Sequence, residues 1–168
     1  IVALDDYNFI EIEEQSIRVI PGEWTINKPI VIPSGYLLAL SEGTTINLGA
    51  NASIISFSPL QLNGTQKSPI TINCGSSQSG LAVIQAKESS TIRHAVFNHC
   101  SSPAIGLWSL TGAVTFYESP VKIFSSKFFD NRSEDSLNIV RSTFEFINSE
   151  IDTTTSDAFD GDFVNGKI

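Results

Sequence analysis

The chain has 168 residues, a length that suits one domain, and its 18 acidic against 10 basic side chains give a net charge of -8. This acidic balance disfavours nucleic acid as a partner, because binding phosphates needs a basic surface. The sequence has no apolar run of about 18 residues, so we expect no membrane-spanning helix.

The composition favours an extracellular protein built from β-strands. Charged residues make up only 17% of the chain, methionine is absent and phenylalanine is frequent. Short runs of β-branched and aromatic residues alternate with Gly, Pro, Asn and Ser, a pattern typical of strands and turns. We therefore expect an all-β fold and a location outside the cell or at its surface.

Residues 1–23 form an acidic arm that lies outside the repeat of the later chain. Its carboxylates accompany apolar residues such as Phe9 and Ile17. The first layer of a repeat protein exposes its core unless something covers it. We expect this arm to be an N-terminal cap, with a partner-docking arm as the alternative.

Two cysteines, Cys74 and Cys100, lie 26 residues apart. No CxxC pair is present, and only His94 and His99 could complete a zinc site, which makes zinc improbable. The pattern favours two half-buried free thiols and leaves a disulfide as the alternative.

Residues 101–111 read as an insertion between strands. The segment contains Pro103, Gly106 and Trp108. Long loops on repeat proteins often bind ligands, so Trp108 is a candidate to stack on a sugar ring. Anchoring of the loop against a sheet is the alternative role of this side chain.

Three similar segments follow one another from residue 112 onward. Residues 112–119, 135–142 and 157–164 align at spacings of 23 and 22 residues. In this alignment Val114, Leu137 and Phe159 fall on one inward-facing column. A looser alignment in the first half matches residues 30–32 with residues 53–55 and residues 44–48 with residues 68–72. Helical repeats are longer, and the leucine-rich frame is absent. The period therefore predicts an all-β solenoid of about six coils over residues 24–168, with about three strands in each coil.

The opening coils carry a motif with a family resemblance. The run IVIPSGYLLALSEGTTINL, residues 30–48, precedes NGT at residues 63–65 and PITI at residues 69–72. This chain resembles bacterial right-handed parallel β-helix repeat proteins of the pectate-lyase-like superfamily. It is most similar to uncharacterised members, some of which are linked to spore-coat-kinase-like modules. The resemblance implies the fold, and it implies secretion and polysaccharide contact as tendencies of the superfamily.

The repeat stops partway through a coil at Ile168, with no polar cap after it. We expect an open C-terminal end and a natural chain that continues further. Self-association through that end, as in an adhesin or fibre, is one hypothesis for function.

Acidic residues concentrate in residues 130–168, which contain nine carboxylates. The repeat places Asp135 one coil from Asp157, and Asn138 one coil from Asp160. Stacked carboxylates repel one another unless a cation intervenes, and oxygen ligands suit Ca²⁺. The predicted calcium ligands are Asp135, Asp157, Asp160 and Asp162.

Three functions remain open. The leading one is a rigid scaffold that binds polysaccharide or a cell-surface protein, with Trp108, Tyr117, Asn138 and Asp160 as ligand-binding residues. The second is a calcium-dependent polysaccharide lyase or uronate epimerase, in which Arg141 would be the catalytic base. The high pKa of arginine makes this role demanding, and pairing with Glu118 is the alternative for Arg141. The third is self-assembly.

Overall fold

A computed structural model describes residues 4–75, 77–105 and 108–168, and these residues wind into a parallel β-solenoid of about six coils. Successive coils contribute one strand each to three sheets, whose strands pair in parallel except for the first two of the chain, Ile10–Glu13 and Ser16–Val19, which are antiparallel. The all-β fold predicted from the repeat is confirmed.

Sheet 1 has eight strands, and sheets 2 and 3 have six each. The strands of sheet 1 are β1 (Ile10–Glu13), β2 (Ser16–Val19), β5 (Leu37–Ser41), β8 (Leu60–Asn63), β11 (Ser90–Arg93), β16 (Val121–Phe124), β19 (Thr143–Ile147) and β22 (Asn165–Lys167). The strands of sheet 2 are β4 (Ile30–Ile32), β7 (Ile54–Ser56), β10 (Leu81–Ile84), β15 (Gly112–Tyr117), β18 (Asp135–Val140) and β21 (Asp157–Asp162). The strands of sheet 3 are β3 (Glu23–Ile26), β6 (Thr45–Leu48), β9 (Ile70–Cys74), β12 (Ala95–Asn98), β17 (Lys127–Phe129) and β20 (Glu150–Asp152). A short 3-10 helix (Leu4–Asp6) precedes the strands, and the insertion forms a hairpin of β13 (Ala104–Ile105) and β14 (Trp108–Ser109).

The core consists of inward-facing side chains stacked from coil to coil. Val114, Leu137 and Phe159 are register partners along sheet 2, which confirms the predicted column. In sheet 3 the ring of Phe128 stacks on Phe97 with centroids 4.9 Å apart. Both rings are fully buried. Along each of these strands, inward-facing residues alternate with outward-facing ones, which is the period of two of a β-strand.

Single residues in the left-handed conformation make the tightest corners between sheets. Glu118, Arg141 and Phe163 have φ angles of 48°, 49° and 54°. At each of these corners the backbone can turn within two or three residues, and the turn residue projects its side chain outward. The backbone amide of Glu118 donates to the carbonyl of Val140, so the hydrogen-bond ladder continues through the corner.

Buried serines satisfy the backbone beside these corners. The Ser126 hydroxyl donates to the carbonyl of Phe124 at 2.9 Å and accepts from the backbone amide of Ala95 at 3.1 Å. Ser119 and Ser149 form the same bridge between coils. The serines thus tie adjacent coils together where strand pairing stops.

The N-terminal segment covers the first coil with aromatic side chains. Phe9 is buried and its ring stacks on Trp24 with centroids 4.8 Å apart. The arm also contributes β2, which pairs in parallel with β5, so coil stacking begins within residues 1–23.

Two expectations about the first half are wrong. The cysteines are joined, because Cys74 and Cys100 form a disulfide across neighbouring coils with a Cα–Cα distance of 4.7 Å. The sequence separation alone could not show that one coil of chain brings them together.

The register of the early coils also differs from the sequence alignment. Ile30 pairs with Ile54 rather than Ser53, and Thr45 pairs with Thr71 rather than Pro69. Ile54 and Ile55 are both apolar and both buried, so alternation could not identify the inward one. Ile54 faces the main core, and Ile55 joins a separate apolar cluster.

Candidate functional site

A polar groove of about 560 Å³ runs along the outer face of sheet 2 at its later coils. We call it the sheet-2 groove. Its lining residues are Leu110, Thr111, Thr115, Tyr117, Glu134, Asp135, Asn138, Val140, Asp157, Asp160 and Asp162. Five of the six residues predicted as glycan or metal ligands on sheet 2 are carboxylates or amides, and all six lie here.

The side-chain amide of Asn138 bridges two carboxylates at the centre of this groove. Its Nδ2 donates to Asp160 Oδ2 at 2.9 Å and to Asp135 Oδ2 at 3.1 Å. Asn138 and Asp135 are each only 4% exposed. The amide thus offsets repulsion between the carboxylates of Asp135 and Asp160 without a cation.

The carboxyl of Asp160 is perturbed by its position. Loss of solvent raises its pKa above the ordinary value of 3.8, and the carboxylates of Asp162 and Asp135 raise this pKa further. The backbone amide of Gly161 donates to it and partly opposes the rise in pKa. The Asp160 carboxyl therefore takes up a proton at a higher pH than an isolated aspartate does.

Strand register arranges the rest of the groove in rungs. Tyr117 pairs with Val140, which pairs with Asp162, as the repeat predicted. Toward the N-terminal coils the same face becomes apolar, with Ile55, Ala82 and Ile84 buried. The outer face of sheet 2 therefore has a carboxylate-rich end, where the groove lies, and an apolar end.

Leu110 forms the boundary between these two ends. It packs on the apolar cluster and also lines the groove, so the insertion contributes one wall. Leu110, Thr115 and Glu134 were missed by sequence reasoning. Thr115 had a detectable signal, because it occupies the column of Asn138 and Asp160 in the repeat.

Arg141 faces a different groove from the acidic residues. Its guanidinium lies 3.6 Å from a carboxylate oxygen of Glu118 and donates to the Tyr117 hydroxyl at 3.2 Å. The ring of Phe163 lies 5.9 Å from the guanidinium carbon. Arg141 lines this other groove with Glu118 and Phe163, and it reaches the sheet-2 groove through its hydrogen bond to the Tyr117 hydroxyl.

Trp108 is only partly described by the structure. Its backbone pairs with Ile105 in the small hairpin. The side chain falls outside the described residues, so its predicted role in sugar stacking stays a prediction.

Within the described residues, no group of three or more His, Cys, Asp or Glu side chains is arranged to hold a metal ion. Asp157 and Asp162 are exposed at the rim, whereas Asp135 is buried beneath Asn138. A calcium ion at these four residues stays a prediction.

Comparison of the chain with family models, curated proteins and solved structures finds no match in any of the three. In the described part of the chain, no helix has the length and apolar character needed to cross a membrane.

Proposed function

We propose that this chain is a secreted or cell-surface β-helix scaffold that binds polysaccharide along the sheet-2 groove. The single observation that carries the proposal is the row of oriented polar groups around Asn138 on a flat, rigid sheet. Sugar hydroxyls both donate and accept hydrogen bonds, and a mixed row of carboxylates, amide and hydroxyl offers partners for both. The resemblance to β-helix repeat proteins of the pectate-lyase-like superfamily, in which polysaccharide contact is a tendency, supports the same ligand class.

The lining of the groove favours neutral or amino-sugar polymers over polyuronates. Its ionisable side chains are acidic, with Glu134 and Asp157 at one side and Asp162 at the other. A polyuronate would be repelled by these carboxylates unless a cation lay between them. An amine or a hydroxyl would meet acceptors.

The rigidity of the scaffold supports binding of an extended chain. The Asn138 bridge, the serine ladders and the Cys74–Cys100 disulfide all link neighbouring coils. A pre-formed surface loses little conformational entropy when it binds an extended ligand.

The disulfide also supports the proposed location. Disulfides persist in oxidising compartments and are rare in the cytosol. The Cys74–Cys100 bond therefore fits a protein that works outside the cell or at its surface.

The enzymatic alternative has less support. A lyase or epimerase would need its base beside the bound uronate, whereas Arg141 is engaged by Glu118 at another groove. Calcium-dependent chemistry and self-assembly both stay predictions.

Affinity electrophoresis in gels containing one polysaccharide each tests the proposal. The panel is β-glucan, mannan, chitosan, alginate and pectate, the last two with and without Ca²⁺. We expect retardation by a neutral or amino-sugar polymer that is weakened in the Asp157→Asn, Asp162→Asn double variant. Asp152→Asn, an exposed aspartate on sheet 3, is the control and should be retarded like the wild type. No retardation by any polymer, or equal loss in the control, would contradict the proposal.

A further inference from the structure

A second groove, of about 620 Å³, crosses the corner between sheets 2 and 1 near the N-terminal end. We call it the corner groove. Its lining residues are Gln15, Ser34, Gly35, Tyr36, Leu37, Phe57, Pro59, Gln85, Lys87, Glu88 and Ser89. None of these residues lines the sheet-2 groove, so the two sites can be tested separately.

Unequal turn lengths create the corner groove. The turn between β7 and β8 is short and places Phe57 and Pro59 at the floor. The turns on the coils before and after it are longer, at residues 33–36 and 85–89. A short turn between two long ones leaves a trough across the corner.

Hydrogen bonds hold one wall of the trough in place. The buried Ser58 hydroxyl donates to the Pro33 carbonyl at 2.6 Å and accepts from the backbone amide of Tyr36 at 2.9 Å. Gly35 adopts a φ of 90°, which favours glycine, and a Cβ there would meet nothing within 4 Å. The wall is therefore pre-formed and its tip opens to solvent.

The chemistry of the corner groove is amphipathic and has no net charge. Phe57 is a large apolar side chain left 36% exposed at the floor, with Tyr36 half-buried beside it. Around them lie the amides of Gln15 and Gln85, hydroxyl groups, and one lysine and one glutamate whose charges cancel. The Gln85 amide is oriented, because its Nε2 donates to Glu118 Oε2 at 2.9 Å.

We infer that the corner groove is a binding site for a neutral pyranose oligosaccharide. A pyranose ring has an apolar C–H face that packs on an aromatic ring, and its edge carries hydroxyls that pair with amides. Cancelled charges disfavour ionic ligands, and the volume lies in the range of about 300–1,000 Å³ that small-ligand sites occupy. Phe57 forms the floor of the site, and Tyr36 and Gln85 contact its sides.

Isothermal titration calorimetry with cellohexaose, maltohexaose, mannohexaose and chitohexaose tests this inference. The titrations use the Asp157→Asn, Asp162→Asn background, so that the sheet-2 groove does not contribute, and we expect this parent protein to bind at least one of these neutral probes. Phe57→Ala should weaken that binding by about tenfold or more, because truncation of a central aromatic contact removes its whole contact area. Tyr36→Ala is the second variant and should weaken binding in the same direction.

Phe163→Ala is the matched control. Phe163 is also an exposed phenylalanine on the corner between sheets 2 and 1, but it lies outside the corner groove. Its variant, made in the Asp157→Asn, Asp162→Asn background, should bind the probe as that parent protein does. Circular dichroism melting of each variant verifies that it is folded.

Three results would overturn the inference. One is the absence of heat with all four probes at about 10 mM, a concentration that would populate even a millimolar site. Another is binding that Phe57→Ala leaves unchanged. The third is concentration-dependent self-association of the wild type, abolished by Phe57→Ala in light scattering, which would assign the groove to a second copy of the chain.

Discussion

Asn138 and Asp160 lie on neighbouring coils, and the amide Nδ2 of the first donates to Oδ2 of the second at 2.9 Å. The same nitrogen donates to Asp135 Oδ2 at 3.1 Å. One neutral side chain therefore holds two carboxylates together on the outer face of sheet 2. This bridge therefore stabilises the later coils and also fixes the positions of polar groups in the proposed glycan site.

Replacement of Asn138 should destabilise the fold. In Asn138→Ala the buried Asp135 carboxylate loses its amide donor, and hydrogen bonds to charged groups contribute about 1.5–3 kcal/mol. We expect the free energy of unfolding from urea titration to fall by about 2 kcal/mol. The control is Asn165→Ala, which replaces an exposed asparagine on sheet 1. It should change the free energy of unfolding by about 0.5 kcal/mol or less. Equal effects of the two substitutions would mean that the bridge does not form.

Asp160 should make the folded state less stable as the pH rises. Its pKa is raised in the folded state, so between the ordinary value of 3.8 and the folded value the native chain binds more protons than the unfolded chain. Stability from this group therefore falls as pH increases through that window. Asp160→Asn removes the effect while keeping an oxygen acceptor for Asn138.

Urea unfolding at a series of pH values checks this sign. Asp160→Asn should be more stable than the wild type near neutral pH, and the advantage should shrink as the pH falls from the raised folded-state pKa of Asp160 to 3.8. Asp152→Asn controls for loss of one exposed acidic charge. An advantage that grows toward acid pH would refute the assignment.

Two phenylalanines that are adjacent in the sequence allow a comparison of a buried with an exposed side chain on the same strand. Phe128 is fully buried in the ring stack with Phe97, whereas Phe129 is 44% exposed on the opposite face of the same strand. Phe128→Ala should lower the free energy of unfolding by about 3–5 kcal/mol, because it leaves a cavity between coils. Phe129→Ala should cost about 1 kcal/mol or less. A larger loss of unfolding free energy in Phe129→Ala than in Phe128→Ala would mean that the opposite face of this strand packs in the core.

The disulfide should contribute measurably to stability. Closing a loop of this length restricts the unfolded chain and is worth about 3 kcal/mol in the chain-entropy description. A Cys74→Ala, Cys100→Ala double variant should therefore unfold at lower urea concentration than the oxidised wild type. Thiol titration of the denatured, unreduced protein should find no free thiol, and two free thiols would contradict the bond.

Much of the later half follows from the sequence, because its period is regular. Leu137 and Phe159 differ in size but occupy equivalent places in segments 22 residues apart, so alignment alone stacks them. The same alignment places Asn138 against Asp160. It could not show that the Asn138 amide also reaches Asp135, because that contact depends on side-chain conformation.

The first half and the corners were less predictable for physical reasons. Ile54 and Ile55 are both buried, so a binary pattern could not give their register. Arg141 does not line the groove that contains the sheet-2 carboxylates, because it lies at a corner whose backbone is left-handed and its side chain lines the neighbouring groove. The corner groove depends on differences between turn lengths on three coils, and a repeat alignment averages such differences away.

The central claim is that polysaccharide binds along the sheet-2 groove. Nuclear magnetic resonance mapping of the protein residues that contact the ligand tests this claim most directly. The polymer that retards the chain is added as a soluble oligosaccharide, and the side-chain amide signals of asparagines are followed. Asn73, which lies in an asparagine ladder on sheet 3, provides the internal reference. The account predicts that the Asn138 amide signals shift and saturate while those of Asn73 remain in place. Saturating binding that moves Asn73 and leaves Asn138 unchanged would contradict it.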